Sequence, residues 1–274
     1  AVYPTHVGTS AARVRLMANG DVMVQTAAHE IGTGVTTILG QLAAEELGVP
    51  VEQVKVEVGD SALPASTVAG GSNTTASAGS AVLKACAAIR AKVFAGTEQP
   101  GALKDGRAVF PDGRTEELTE AFRRLGVNQI EEYAEFIPEG AGSDAMEKLY
   151  QGKPTLSGGS QGKKLMYAVG AEFVEVRINV RTREIRCPRA VGAFAAGRIL
   201  NTRTARSQLM GGLIWGISSA LHEETEIDTR LARYVNDNIS EYLIPVNADI
   251  RDVEVIMLSE EDKEVNPAGV KGLG

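Results

Sequence analysis

The chain has 274 residues, room for one large domain or two ordinary ones, and its 43% hydrophobic and 23% charged residues are an ordinary globular balance. The 28 basic and 35 acidic side chains leave a net charge of −7, which points away from nucleic acid and anionic membranes as partners. No apolar run approaches the roughly 18 residues of a membrane span, and the opening AVYPTHVGTS does not read as a signal peptide.

Residues 13–26, RVRLMANGDVMVQT, read as a β-hairpin. Val14 and Leu16 alternate with Arg13 and Arg15, Val22 and Val24 return, and Asn19-Gly20 supplies the turn. A small-residue loop, HEIGTGVTT, precedes a helix over about 36–47, with Ile38, Leu39, Leu42, Ala43 and Leu47 on one face. Gly48 caps that helix and Pro50 stops it. VEQVKVEVGD is a strand, with Val54, Val56 and Val58 on one side. The loop GDSALPASTVAGGSNTTASAGS then leads to a second helix over about 77–95.

Residues 97–164 are polar, with charge runs and glycines. They read as an irregular insert with a helix near 115–125, its acids forming a solvated face. A second hairpin occupies 173–187, FVEVRINVRTREIRC, in which Val174, Val176, Ile178 and Val180 alternate and Ile185 and Cys187 return. The loop VGAFAAGRILN, a helix over about 204–222 and a strand DVEVIML at 252–258 follow, and the chain runs on to NPAGVKGLG.

Each half thus goes hairpin, loop, helix, strand, glycine-containing loop. The expected fold is α+β: two similar hairpin-plus-helix units with mixed sheets and helices packed on the sheet faces. The first unit covers 1–164, with its insert at about 97–164, and the second covers 165–274. Loops that follow equivalent strands are then expected to meet at one cleft.

Those loops carry the chemistry. In EIGTG, residues 30–34, backbone N–H groups before a helix can hold an anion, and glycines allow a phosphate to approach; an ordinary glycine turn is the plainer reading. GGSNTTASAGS offers hydroxyls at Ser72, Thr74, Thr75, Ser77 and Ser80 with unshielded amides, either to wrap a polar ligand or as a flexible linker. Gln208 stands beside Gly211-Gly212, and paired mid-helix glycines argue for something passing close to that helix. The dinucleotide fingerprint and the GxxxxGK[ST] loop are both missing. His6, His29 and His222 lack metal-ligand spacing, and Cys86 and Cys187 read as buried free thiols in apolar surroundings. The residues alone therefore imply a polar, phosphate-bearing ligand and identify no catalytic residue.

Five stretches in order carry a resemblance: EIGTGVTTILGQLAAEELGVP, VEVGDSALPASTVAGGSNTTASAGSAVLKAC, AGRILNTRTARSQLMGGLIWGISSALHEE, NDNISEYLIPVNADI and NPAGVKGLG. Together they resemble the molybdenum-cofactor-binding large subunit of the xanthine dehydrogenase/aldehyde oxidoreductase family of molybdenum hydroxylases, in its bacterial, separate-chain form. The resemblance implies that Gly32, Thr33 and Gly34 touch the pterin, although many members carry glutamine where Thr33 stands. It implies that Thr75, Ala76, Ser77 and Ala78 wrap the pterin and its phosphate, with Gly79 and Ser80 adjoining. Gln208 matches a glutamine that hydrogen-bonds the cofactor near the metal. Ala196 occupies a position that is often Asp and receives no role.

The implied cofactor is molybdopterin, in the cytosine dinucleotide form, with molybdenum; FAD and iron–sulfur clusters are expected on partner chains. No residue of this chain is implied as a metal ligand. The family's KGxGE motif ends on the glutamate that acts as general base, and the sequence stops at Gly274, one position earlier, so no catalytic residue is assigned. The expectation is the C-terminal portion of such a subunit, from a bacterial cytoplasm or periplasm, paired with an N-terminal portion. The intact enzyme would oxidise an aldehyde or N-heterocycle with water-derived oxygen, and this portion alone would be inactive. A non-catalytic α+β scaffold or partner-binding module with degenerate loops is the alternative, kept open by Thr33 and Ala196.

Overall fold

A computed structural model describes residues 1–96, 101–160 and 164–273. In chain order its elements are β1 (Val2–Pro4), β2 (His6–Gly8), β3 (Ser10–Met17), β4 (Val22–Gln25), α1 (Val35–Leu47), β5 (Val54–Glu57) and α2 (Thr74–Val93). Then come β6 (Ala102–Lys104), β7 (Arg107–Val109), β8 (Thr115–Glu117), α3 (Leu118–Leu125), β9 (Gln129–Phe136), α4 (Ala145–Tyr150) and β10 (Leu156–Gly158). The remainder is β11 (Tyr167–Ile178), β12 (Ile185–Ala195), α5 (Thr202–Leu221), β13 (Ile227–Asp228), β14 (Arg233–Tyr234) and β15 (Asp252–Met257). The fold is α+β, as the alternation and helix periods predict. No described helix is long and apolar enough to cross a membrane.

Two four-stranded mixed sheets share one plan, in the orders β5-β4-β3-β9 and β15-β12-β11-β1. In the first, β3 and β4 form the antiparallel hairpin, and β4 lies parallel to β5. In the second, β11 and β12 form the hairpin, and β12 lies parallel to β15. A parallel pair needs a crossover, and α1 and α5 supply it. Gly20, at φ +90°, makes the first hairpin turn. Gly48, at φ +63°, ends α1 and donates its N–H to the Ala44 carbonyl.

The structure corrects the sequence reading in two places. Residues 97–164 are not an irregular excursion: Gln129–Phe136 is the outer strand of the first sheet, antiparallel to β3 with Leu16 opposite Ile130. Its alternation hides because the charged Glu132 shares the inward set with Ile130, Ala134 and Phe136, and Tyr133 lies on the exposed set. A small sheet, β6-β7-β8, precedes it. Residues 97–100 within the stretch lie outside the described residues. The second helix also begins at Thr74 rather than 77.

The main core lies between the first sheet and two helices. Val14, Leu16, Val22 and Val24 meet Leu39 and Leu47 of α1 and Val82, Ile89 and Val93 of α2, all nearly or fully buried. Ala268 and Val270, near the C-terminus, join this same core. The second unit has far less: Cys187, Ala190, Ile217 and Ile250 form its buried cluster. Both thiols are free and buried, and burial pushes each above the ordinary thiol range.

Candidate functional site

The loops after β4, β5, β12 and β15 meet at one cavity of about 240 Å³. Thr33, Thr75, Asn201, Gln208 and Lys271 are among its polar lining residues. Sequence symmetry predicts this convergence, because equivalent loops leave the same end of two similar units.

The start of α1 forms one wall. The Glu30 carboxylate accepts the N–H groups of Gly32, Gly34 and Thr36 at 2.9, 3.0 and 3.0 Å. Partial burial would raise its pKa, but these three backbone donors outweigh it and hold Glu30 below the usual carboxylate range. The amides and helix dipole of EIGTG thus already serve an anion from the chain itself, in keeping with the plainer reading of a glycine turn. Gly34, at φ +85°, is the N-cap, and a Cβ on it would lie 2.9 Å from Thr204 Cγ2. The beginnings of α1 and α5 therefore abut.

The start of α2 forms the second wall. Asn73 is fully buried. Its Nδ2 donates to the carbonyls of Val68 and Gly70 at 2.9 and 2.5 Å, folding the loop back on itself. Because that side chain is engaged with the loop, no side chain caps α2. Gly71 and Ser72 precede it in the left-handed region, at φ +65° and +53°. The loop amides and the first-turn amides thus stand together at the cavity.

Of the run 75–80, Thr75 lines the cavity, whereas Ala76, Ser77, Ala78, Gly79 and Ser80 lie buried within α2. Ser77 Oγ accepts the Gly8 N–H at 2.8 Å and donates to the Asn73 carbonyl at 2.8 Å. Ser80 Oγ donates to the Ala76 carbonyl at 2.5 Å. A Cβ on Gly79 would sit 3.0 Å from Leu42 Cδ1, so that glycine sets the approach of α1 and α2. Gly32 and Gly34 give their N–H groups to Glu30, while Thr33 lines the cavity.

The second unit closes the site. Asn201 caps α5 by accepting the N–H groups of Arg203 and Thr204 at 3.0 and 3.1 Å. Its Nδ2 reaches Gln41 of α1 at 3.1 Å. Gln208, on the second turn, faces the cavity. The glycines beside it have open space: a Cβ on Gly211 or Gly212 meets nothing within 4 Å among the described residues.

The C-terminal stretch is held on several sides. Asn266 Nδ2 donates to the Val270 carbonyl at 2.8 Å, and the Arg198 N–H reaches the Gly269 carbonyl at 2.7 Å. Lys271, with a side chain only 9% exposed, donates to Glu260 at 2.5 Å and lies 3.1 Å from Asp262. Burial would lower its pKa, but the two carboxylates outweigh that and keep the ammonium above the usual lysine range. The other oxygen of Glu260 accepts the Gly197 N–H at 2.7 Å. Glu260 therefore ties the loop after β12 to the C-terminal loop, and Lys271 holds Glu260 in place. The sequence reading missed Glu30, Asn73, Asn201 and Lys271. Asn73 and Asn201 each carried a visible signal, an asparagine just ahead of a helix, but only Asn201 caps the helix it precedes.

A family model described as "Molybdopterin cofactor-binding domain" matches residues 1–251. The chain belongs to this molybdopterin-binding family. It is 38% identical to the aldehyde oxidoreductase molybdenum-binding subunit PaoC of Escherichia coli (strain K12), over 97% of this chain and 34% of that protein. It is 27% identical to the xanthine dehydrogenase molybdenum-binding subunit of Escherichia coli O157:H7, over 99% of this chain and 35% of that protein. Among solved structures, quinoline 2-oxidoreductase from Pseudomonas putida 86 superposes with a TM-score of 0.76 at 20% identity, covering the whole chain and 37% of the other. The chain spans about a third of the length of the curated relatives it matches.

The residues present suit a molybdopterin. Uncapped amides at the start of α2, with left-handed Gly71 and Ser72 ahead of them, are donors of the kind a phosphate would need. Gln208 provides an amide with both donor and acceptor for a polar ring system.

Proposed function

We propose that this chain is the C-terminal, molybdopterin-contacting portion of a longer molybdenum hydroxylase subunit that oxidises an aldehyde or an N-heterocycle with oxygen drawn from water. One observation carries this reading: the loops from four pseudo-equivalent strand ends, with the starts of the helices that follow, bring Thr33, Thr75 and Gln208 to a single cavity. The names of the relatives, an aldehyde oxidoreductase and a xanthine dehydrogenase, support the substrate classes.

In this reading the amides of Thr74 and Thr75 and the adjoining loop hold the phosphate, Gln208 hydrogen-bonds the pterin near the metal, and Thr33 borders it. The cytosine dinucleotide form of the cofactor would extend further along the glycine loops. When bound, the cofactor supplies a molybdenum centre that takes two electrons from the substrate carbon. The chain's own part is positioning: Asn73, Asn201 and Lys271 fix the walls, so the polar groups are set before the ligand arrives. The N-terminal portion of the subunit supplies the rest of the site, and iron–sulfur and FAD-bearing chains take the electrons onward. This portion alone is then expected to be inactive.

The test is made on the full-length complex. Elemental analysis should find molybdenum, and an aldehyde or N-heterocycle should reduce an acceptor dye. A purified complex that has its partner chains but contains no molybdenum refutes the proposal. Turnover by the 274-residue chain alone refutes the inactivity.

A further inference from the structure

Three basic side chains line the molybdopterin cavity, and two of them are already engaged. Arg198 gives Nη2 to both carboxylate oxygens of Glu45 at 2.6 Å. Lys271 is held by Glu260 and Asp262. The third, His29, is exposed and makes no hydrogen bond or ion pair among the described residues.

Both neighbours nevertheless fix its place. Ala28 is fully buried, and its carbonyl accepts the Gly59 N–H at 2.8 Å. Glu30 is fastened to the start of α1 by three backbone N–H groups. A residue pinned on either side, with its side chain left open to a cavity, has little freedom to lose when it meets a ligand. His29, Ile31 and Thr33, every second residue of this loop, all line the cavity.

Charge at the cavity is lopsided. Glu30, Glu45, Glu260 and Asp262 outnumber Arg198 and Lys271, so the paired groups sum to a negative charge. The start of α2 offers amides to a phosphate. The loop ahead of α1 cannot do the same with its backbone, because Glu30 already takes the amides of Gly32, Gly34 and Thr36. A side chain can. An imidazole supplies an N–H donor in either protonation state and a positive charge when it takes up a proton.

We infer that His29 is a ligand-contacting residue: its imidazole donates to the phosphate of the bound molybdopterin and brings to that phosphate the positive charge that the paired groups lack. The inference rests on the reading of this cavity as a molybdopterin site. In a cavity of about 240 Å³, His29 and the α2 amides address one ligand from different loops. The loop after β4 then contributes to phosphate binding by a side chain, and the loop before α2 by its backbone.

The test uses the full-length complex with its partner chains. Molybdenum and released pterin are measured over time after dilution for the parent, His29→Ala and His29→Arg. Cofactor loss from His29→Ala is expected to be at least about tenfold faster than from the parent, the effect of losing one hydrogen bond to a charged group. His29→Arg keeps an N–H donor and a positive charge and should restore retention to within about threefold of the parent. The melting temperature of the cofactor-free complex should be the same for parent and His29→Ala. Equal retention in parent and His29→Ala overturns the inference and leaves the molybdopterin reading intact. Equally fast loss from the Ala and Arg variants, or a melting temperature that falls along with retention, assigns His29 a packing role and also overturns it. Weakened binding of inorganic phosphate to cofactor-free His29→Ala, with cofactor retention unchanged, makes this a free-anion site and overturns it too. A parent complex that holds no molybdopterin overturns both the inference and the reading beneath it.

Discussion

Replacing Lys271 with methionine tests whether the C-terminal loop is held by charge. The variant keeps the apolar stem and removes the ammonium that Glu260 and Asp262 share at 2.5 and 3.1 Å. Breaking a fully buried pair costs about 3–5 kcal/mol. Here the carboxylates are 27% and 32% exposed, against 9% for the lysine, so water recovers part of that cost. Glu260 also keeps the Gly197 N–H. The expected loss is about 2 kcal/mol at pH 7. It has a distinct pH dependence. Burial pulls the Asp262 pKa up, but Lys271 and nearby backbone donors outweigh it and leave the carboxyl below its ordinary range. Its contribution is complete above the unfolded value of about 4 and fades as pH falls through the folded value. Lys271 is shifted upward, so its contribution is complete below about pH 10 and fades as pH rises through the folded value. Urea midpoints of the two proteins should differ by a constant amount between about pH 5 and 9 and converge in acid. Equal midpoints at pH 7, or a difference that persists unchanged at pH 3, would refute the reasoning.

Asn73→Ala removes the donors to the Val68 and Gly70 carbonyls and should cost about 2 kcal/mol, seen as a melting temperature lower by about 5 °C; an unchanged melting curve would mean the loop is held by something else. Glu30→Gln should cost about 0.5 kcal/mol at pH 7 by weakening the charged interaction with the start of α1. Since the Glu30 pKa is depressed, that difference must vanish as pH falls through its folded value, and a difference that grows in acid would contradict the assignment. Gly48→Ala places a Cβ at φ +63° and 2.3 Å from the Leu103 carbonyl carbon, so a loss of at least about 3 kcal/mol is expected; a chemical denaturation midpoint near that of the parent would show that the 48 and 103 backbones are not in contact.

Where one face of an element is buried, the sequence shows it. Val14 and Leu16 against Arg13 and Arg15, and the α1 face ended by Gly48, are legible because burial imposes a period of two or 3.6. Strand β9 is not legible, since Glu132 among its inward positions and Tyr133 among its exposed ones break the alternation, and the segment looks like a polar loop. Strands β1 and β2, of three residues each, fall below any period and depend on partners more than 140 residues away. The true start of α2 is hidden for a related reason: the Asn73 side chain folds the preceding loop instead of capping the helix, so the usual start signal is misdirected. At the site, the glycine loops and Gln208 are visible as motifs. The occupancy of the EIGTG amides by Glu30 is not, because a carboxylate beside a glycine turn reads equally well as solvated.

The pairing of β1 with β11 constrains the order in which the fold can form. Strand β1 lies against β11, and the Gly272 N–H lies 3.3 Å from Thr5 Oγ1. During synthesis β1 must therefore wait for a partner that emerges far later, while most of the first sheet can already assemble. Such distant pairing carries a large loop-closure cost and folds late. A cut between residues 164 and 165 would not release two self-sufficient halves, since the second would leave the strand that borders β11 with the first.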